Sequence, residues 1–287
     1  MDENEKKVFY NSFDDVKLCG ILSKVSDDSR IVVLCHGLNS DKSGRGIYTK
    51  MAQVLREEKI NSFRFDFRAH GESTGTDYEM DITKELKDVE STLDILISKG
   101  YKEIILHGSS FGGGIVSLLD FSKYKEVKAI ILWYAALDFQ VATTKKGVLL
   151  SKEHRAVAIK EGYFVVENPK TGRKFRLGKS VFDEAEVIVP YKNLVKYDIP
   201  ILFLHGTADM VVPYQLSESV SKMCKNSQLE LIKNALGRKR KIRYKETLFI
   251  LSAVLGLCNS AYAAIIKTEK EVMKPREYGR KELFYEW

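Results

Sequence analysis

Apolar runs and helically spaced apolar positions take turns along most of this chain. Residues 6–12 and 16–23 alternate well enough to predict two antiparallel strands joined at Asp14-Asp15. Ile31-Val32-Val33-Leu34-Cys35 is an unbroken apolar run, the pattern of a strand buried on both faces, and it ends at His36-Gly37-Leu38. A polar loop over 39–46 leads into an amphipathic helix over 47–58, a strand over 60–66 and the loop Phe67 to Ser73. Within 80–99 the apolar residues fall at Ile82, Leu86, Val89, Leu93, Leu96 and Ile97, a helical spacing. Further strands are predicted at 104–106, 127–133, 201–205 and 228–233, and further helices at 191–197 and 213–224, where Pro213 suits a first turn. This alternation predicts an α/β fold, a mostly parallel sheet covered on both faces.

From Asp138 to Pro190 the alternation breaks. That stretch carries a predicted hairpin, 162–166 with 174–177, turning at 168–172. It reads as a lid insertion between a first core segment, 1–137, and a second, 191–236. Residues 237–287 form a tail of different character.

The stretch that organises the chain is Glu103 to Val116. The run Ile104-Ile105-Leu106 precedes Gly108-Ser109-Ser110-Phe111-Gly112, and Ile115, Val116, Leu118 and Leu119 follow with helical spacing. A strand turning sharply into a helix around Gly-x-Ser-x-Gly is a nucleophile elbow. The bend leaves no room for side chains at Gly108 and Gly112 and throws Ser110 out above the sheet. There its hydroxyl can attack a carbonyl while the Phe111 amide holds the oxyanion.

Composition narrows the picture modestly. A hydrophobic content of 44% and a charged content of 30% suit a globular protein of 287 residues. The N-terminus is charged and has no apolar core of a signal peptide, and the four cysteines form no CxxC pair, so a cytoplasmic setting with free thiols is expected. The net charge of +7 is local: Arg238, Lys239, Arg240, Lys241, Arg243 and Lys245 supply six positive charges in eight residues. No aromatic interleaving accompanies them, and no nucleic-acid partner is expected. No metal or organic cofactor is implied.

Serine chemistry needs a base, an acid to orient it and a second oxyanion donor. Leu38, after the strand expected beside the elbow strand, offers that donor through its amide. Asp209, on the loop closing a buried strand, offers the acid; Asp138 is an alternative. Four segments occur in order: His36-Gly37, Asp66 to Ser73, Gly108 to Gly113, and His205-Gly206-Thr207-Ala208-Asp209 with Val212-Pro213. Together they resemble the α/β-hydrolase superfamily over roughly residues 8–236. The likeness is greatest to lidded carboxylesterases of the serine aminopeptidase and monoacylglycerol lipase type, cinnamoyl and feruloyl esterases included. The resemblance implies Ser110 as nucleophile, Asp209 as acid, Leu38 and Phe111 as oxyanion donors, and a small-molecule ester substrate. Hydrogen-bonding structural roles are expected for His36 and His70, satisfied core or rim positions for His107 and His205, and packing of the elbow for Ser109. Tyr163, Phe164, Phe175 and Phe182 in the insertion suggest an apolar acyl or aryl group.

The resemblance fails at the base. The family pattern places a histidine a few residues past Lys233, where this chain reads Asn234-Ala235-Leu236-Gly237-Arg238-Lys239, and no histidine follows His205. Arginine stays protonated and cannot substitute; His154 in the insertion is the one mobile candidate. The sequence therefore predicts either an impaired serine hydrolase or a non-catalytic relative that keeps the pocket. The tail suggests a cause. A basic stretch, the apolar run Leu248 to Leu257 and Ala261-Tyr262-Ala263 have the form of a secretory signal peptide in the wrong place. The reading is that a hydrolase frame ends near Ala235 and joins the start of an unrelated exported protein. Two alternatives stand: the uncharged residues 247–266 as a membrane span, or as a packed helix. Sequencing the DNA across codons 233–240 is expected to show a frameshift, deletion or misjoin; a clean, reproducible in-frame junction would remove that explanation.

Overall fold

The computed structural model describes residues 5–141, 143–144, 147–167 and 172–235. The tail, with the expected base position and the apolar stretch 247–266, lies outside the described residues, as do four of the five hairpin turn residues, 168–171. No described helix is long and apolar enough to cross a membrane.

The first core segment runs β1 (Glu5–Asn11), β2 (Lys17–Ser23), β3 (Arg30–Cys35), α1 (Ile47–Glu57), β4 (Asn61–Asp66), α2 (Ile82–Ser98), β5 (Glu103–Ser109), α3 (Phe111–Val116) and β6 (Val127–Trp133). The insertion contributes the two-residue strands β7 (Thr143–Thr144) and β8 (Gly147–Val148), then α4 (Lys152–Glu161), β9 (Phe164–Glu167), β10 (Lys174–Leu177) and α5 (Lys179–Val187). The core resumes with α6 (Pro190–Leu194), β11 (Ile201–Gly206), α7 (Tyr214–Met223) and β12 (Ser227–Ile232).

Eight strands form one sheet in the order β1-β2-β4-β3-β5-β6-β11-β12. The first two join antiparallel at one edge, and every pair from β4 through β12 is parallel. This is the α/β-hydrolase arrangement. The two faces follow from strand periodicity. Ile31, Val33, Ile104, Leu106, Ile130 and Phe203 point to the α2 and α3 side, whereas Val32, Leu34, Ile105, Ile131 and Leu204 point to the α1 side against Tyr48, Met51 and Leu55. The parallel strands that the sequence showed as unbroken apolar runs are buried on both sides.

The insertion holds the expected hairpin, with Phe175 opposite Val166, and also two helices that periodicity had not indicated. α4 buries only Ala158, so it carries no apolar stripe to read. α5 is short and buries Val181, Phe182 and Ala185.

A polar network lies under the loop after β4. The fully buried Asp66 accepts from the Lys42 amide at 2.6 Å, the Lys42 ammonium at 2.5 Å and the Glu72 amide at 2.8 Å. Two residues on, Arg68 grips the fully buried Asp88 of α2 through Nε at 3.0 Å and Nη2 at 2.8 Å, and Asp14 through Nη1 at 2.9 Å. Breaking a buried pair strands a charge, which costs far more than the pair contributes. Arg68→Ala is therefore expected to lower unfolding stability by about 3–5 kcal/mol, measured by urea denaturation; a loss below about 1 kcal/mol would contradict this role.

Candidate active site

Ser110 stands between β5 and α3 with φ 52° and ψ −122°, a conformation an L-residue adopts only when its surroundings impose it. Those surroundings are visible. The Ser110 amide donates to Trp133 O at 3.1 Å, and its carbonyl accepts from Gly113 at 3.1 Å, Gly114 at 3.2 Å and Ala136 at 2.8 Å. Crowding explains the glycines. A Cβ at Gly108 would lie 2.6 Å from Gly113 Cα, and one at Gly112 would lie 2.2 Å from the His36 carbonyl. The loop after β3 passes just as close: a Cβ at Gly37 would meet Ser110 Cβ at 3.0 Å and Oγ at 3.5 Å. The elbow and the His36-Gly37-Leu38 loop are thus packed backbone to backbone.

This sets Gly37, the residue before Leu38, against Ser110, the residue before Phe111. Among the hydrogen bonds of the described residues, neither the Leu38 nor the Phe111 amide is a donor. The Leu38 side chain is buried, and the Phe111 ring packs 4.9 Å from that of Phe139. A cavity of about 40 Å³ opens at Ser110, bounded by His36, Gly37, Tyr48, Trp133 and Tyr134. Ser109 turns to the α1 side, where its hydroxyl shares a 2.7 Å hydrogen bond with Tyr48, which also donates to Cys35 O at 2.9 Å.

Asp209 follows β11, two strands from β5, at the same carboxyl edge of the sheet. Its Oδ1 accepts from the Val211 amide at 2.8 Å and the Val212 amide at 3.1 Å, which fixes the loop. The imidazole near it is His205, with Nε2 at 3.7 Å from Oδ2. His205 is fully buried and bonded at both nitrogens, to Ser217 Oγ at 2.8 Å and Val212 O at 3.0 Å. It is a strut of the loop. Asp138 accepts from the Gln140 amide at 2.9 Å, closing a turn.

All five histidines lie among the described residues, and none hydrogen-bonds Ser110. His154 bonds Leu149 O at 2.8 Å through Nδ1 and stacks on Phe164 at 4.0 Å, so packing of the insertion holds it. His36 and His70 hydrogen-bond at both nitrogens, as structural histidines do. His107 departs from the satisfied role expected of it. It is fully buried with no partner at either nitrogen, edge-on to Tyr48 at 5.4 Å, and burial pushes its pKa down to about 3. The imidazole stays neutral in the core.

The four insertion aromatics are also taken up by packing. Phe175 stacks on His70 at 4.4 Å, Phe164 lies between His154 and Phe182, and Tyr163 stacks on Tyr78 beside Arg176. None of them bounds the cavity at Ser110. Among the described residues Cys19, Cys35 and Cys224 are buried free thiols, and no group of three His, Cys, Asp or Glu is placed to hold a metal.

A parallel sheet of this order with a serine bend at the end of β5 defines an α/β-hydrolase. More narrowly, residues 26–236 match the serine aminopeptidase S33 family, and the chain belongs to it. Mouse mitochondrial palmitoyl-protein thioesterase ABHD10 is 28% identical over 62% of this chain and 58% of its own length. The first curated relatives are matched over 54–60% of their length. The ferulic-acid-bound Est1E of Butyrivibrio proteoclasticus superposes with a TM-score of 0.73 at 23% identity, covering 88% of this chain and 99% of that one. The Paleococcus ferrophilus monoacylglycerol lipase gives 0.64 at 21%, over 88% and 98%.

The packing of Gly112 on the His36 carbonyl yields a direct test. Gly112→Ala is expected to cost about 1–3 kcal/mol in urea denaturation, because backbone on both sides cannot yield. Unchanged stability would show that the two loops are not in contact.

Proposed function

We propose that this chain is a serine hydrolase built to act on carboxylic esters or thioesters, with its turnover impaired by the loss of the catalytic base. The observation that carries the reading is Ser110 itself. It is a strained serine, fixed by four backbone hydrogen bonds, and so close to the loop after β3 that a Cβ at Gly37 would lie 3.5 Å from its Oγ. Relatives named as a palmitoyl-protein thioesterase and a monoacylglycerol lipase support the substrate class.

In the proposed reaction Ser110 Oγ attacks the acyl carbonyl carbon and its proton leaves to a base. The carbonyl oxygen becomes an oxyanion held by the Leu38 and Phe111 N–H groups, positioned before charge develops. The bond to the leaving oxygen or sulfur then breaks, the leaving group takes up a proton, and water releases the acid from the acyl-enzyme. Asp209 would orient the base. The cavity wall of Ile47, Trp133 and Tyr134, with the two aromatic rings 4.9 Å apart, suits an apolar group beside the carbonyl.

Proton transfer is the step this chain performs poorly. All five imidazoles are committed elsewhere, and position 237, where the family pattern expects histidine, is glycine. Loss of a triad base lowers kcat by about 10⁶-fold, while oxyanion donors and binding retain about 10³–10⁴ over water. The second reading, a binding relative that holds an ester without cleaving it, rests on the same fact.

Fluorophosphonate labelling and p-nitrophenyl acetate turnover separate the two. Slow labelling at Ser110, abolished in Ser110→Ala, is expected, and Gly237→His is expected to raise turnover by roughly a hundredfold or more. No labelling of the folded protein would favour the binding relative. Robust wild-type turnover, lost in Ser110→Ala, would refute the impairment.

A further inference from the structure

The loop carrying Leu38 is held by two imidazoles whose protonation states the geometry dictates. His36 Nδ1 lies 2.9 Å from Gly37 O, and a carbonyl only accepts, so Nδ1 carries the proton. His36 Nε2 lies 3.1 Å from the Phe67 amide, which only donates, so Nε2 carries the lone pair. His70 repeats the arrangement, with Nδ1 at 2.8 Å from Arg68 O and Nε2 at 3.2 Å from the Asn39 amide. The rings meet edge to face at 4.9 Å, and each is nearly fully buried. The loops after β3 and β4 thus clasp each other reciprocally, each lending a histidine to the other's backbone.

The bonded groups are not arbitrary. The Gly37 carbonyl and the Leu38 N–H belong to one peptide plane, so the His36 bond orients the donor's own amide and polarises it. The Asn39 N–H belongs to the next plane, and the His70 bond fixes that one. Asn39 sits at φ 53°, a conformation that needs such support. We propose that His36 and His70 are positioning residues for the oxyanion hole, acting as a pair of neutral Nδ1–H imidazoles that set the two peptide planes flanking Leu38. This deepens, and rests on, the assignment of the Leu38 amide to the oxyanion.

The surroundings favour neutrality. Burial pushes the pKa of His36 down and that of His70 well below the ordinary histidine value. Around His70 the charged or titratable neighbours are His36, Arg68, Arg173 and Glu85; around His36 they are His70, Asp66, Asp41 and Arg173. Arg68 is paired with Asp88 and Asp14, and Glu85, 3.9 Å from His70 Nδ1, is driven toward its uncharged form by burial. From the insertion, Phe175 closes over His70, and the Asn39 side chain donates to Val166 O at 3.4 Å, so β9 and β10 seal the clasp from above. A proton arriving at Nε2 of either ring would set N–H against N–H and open the loop.

The test uses the full chain in two arms. In the first, ¹⁵N-labelled protein is followed by imidazole NMR from pH 5 to 8. Both rings are expected to be neutral Nδ1–H tautomers at pH 7, with the Asn39 amide slow to exchange; an Nε2–H tautomer or an imidazolium at pH 7 would overturn the proposal. In the second, the rate of Ser110 phosphonylation by a fluorophosphonate is compared in the wild type, His70→Leu and His70→Gln. His70→Leu is expected to label about tenfold more slowly, and His70→Gln, whose side-chain oxygen accepts from Asn39, to recover part of the rate. Folded His70→Leu labelling at the wild-type rate would overturn the proposal. If His70→Leu does not fold, the wild-type rate should fall as pH drops through the His70 titration seen by NMR, and a rate indifferent to that titration counts against the clasp. Failure of the wild type to label would refute Ser110 as nucleophile, and the NMR arm alone would then decide the clasp.

Discussion

The structure depends on one steric constraint: backbone meeting backbone where β5 bends into α3. Ser110 occupies an unfavourable conformation because Trp133 and Ala136 hold it from β6 and the segment after it, while Gly113 and Gly114 hold it from its own helix. The loop after β3 then closes on the bend so tightly that a methyl group at residue 112 would collide with the His36 carbonyl and one at residue 37 would press on Ser110. Strain of this kind costs on the order of 1–3 kcal/mol and survives only where the neighbours over-determine it. Here they do, and the Leu38 and Phe111 amides on either side of the contact have no donor role among the described residues.

The second layer is polar and buried. Asp66 at the end of β4 and Arg68 and His70 just after it fall within five residues, and each fixes a different neighbour: the Lys42 segment, α2, and the loop that carries Leu38. The buried charges Asp66 and Asp88 are tolerated because each is paired, with Lys42 and Arg68, while burial drives Glu85 beside them toward its uncharged form. The insertion rests on this layer through Phe175 and Asn39, and reaches α2 through Glu184, which accepts from the Thr83 amide at 3.0 Å. The segments after β3 and β4 are thereby tied to α2 and to the insertion.

Much of this was legible in the residues. Runs such as Ile31 to Cys35 and Ile104 to Leu106 announce strands buried on both faces, and Gly108-x-Ser110-x-Gly112 announces the bend, because only glycine fits there. α4 and α5 were not legible, since one buries a single alanine and the other spans nine residues, too little for a periodic stripe. His107 misled for another reason: strand-end histidines ordinarily find a partner, yet this ring sits among the Tyr48 and Trp133 rings with neither nitrogen bonded. The insertion aromatics misled because apolar residues in a covering segment pack inward on their own hairpin before they line a cavity. The reciprocal bonds of His36 and His70 span 31 residues each and depend on loops meeting in space, which no local pattern encodes.

What the structure shows is an α/β-hydrolase sheet with a strained serine where β5 meets α3 and, among the described residues, no imidazole hydrogen-bonded to it. The most direct measurement is a crystal structure of the protein after reaction with an aryl fluorophosphonate. Phosphorus is expected on Ser110 Oγ, with the phosphoryl oxygen about 2.7–3.1 Å from both the Leu38 and Phe111 nitrogens. Phosphorus on another residue, or a phosphoryl oxygen turned away from those two amides, would contradict this.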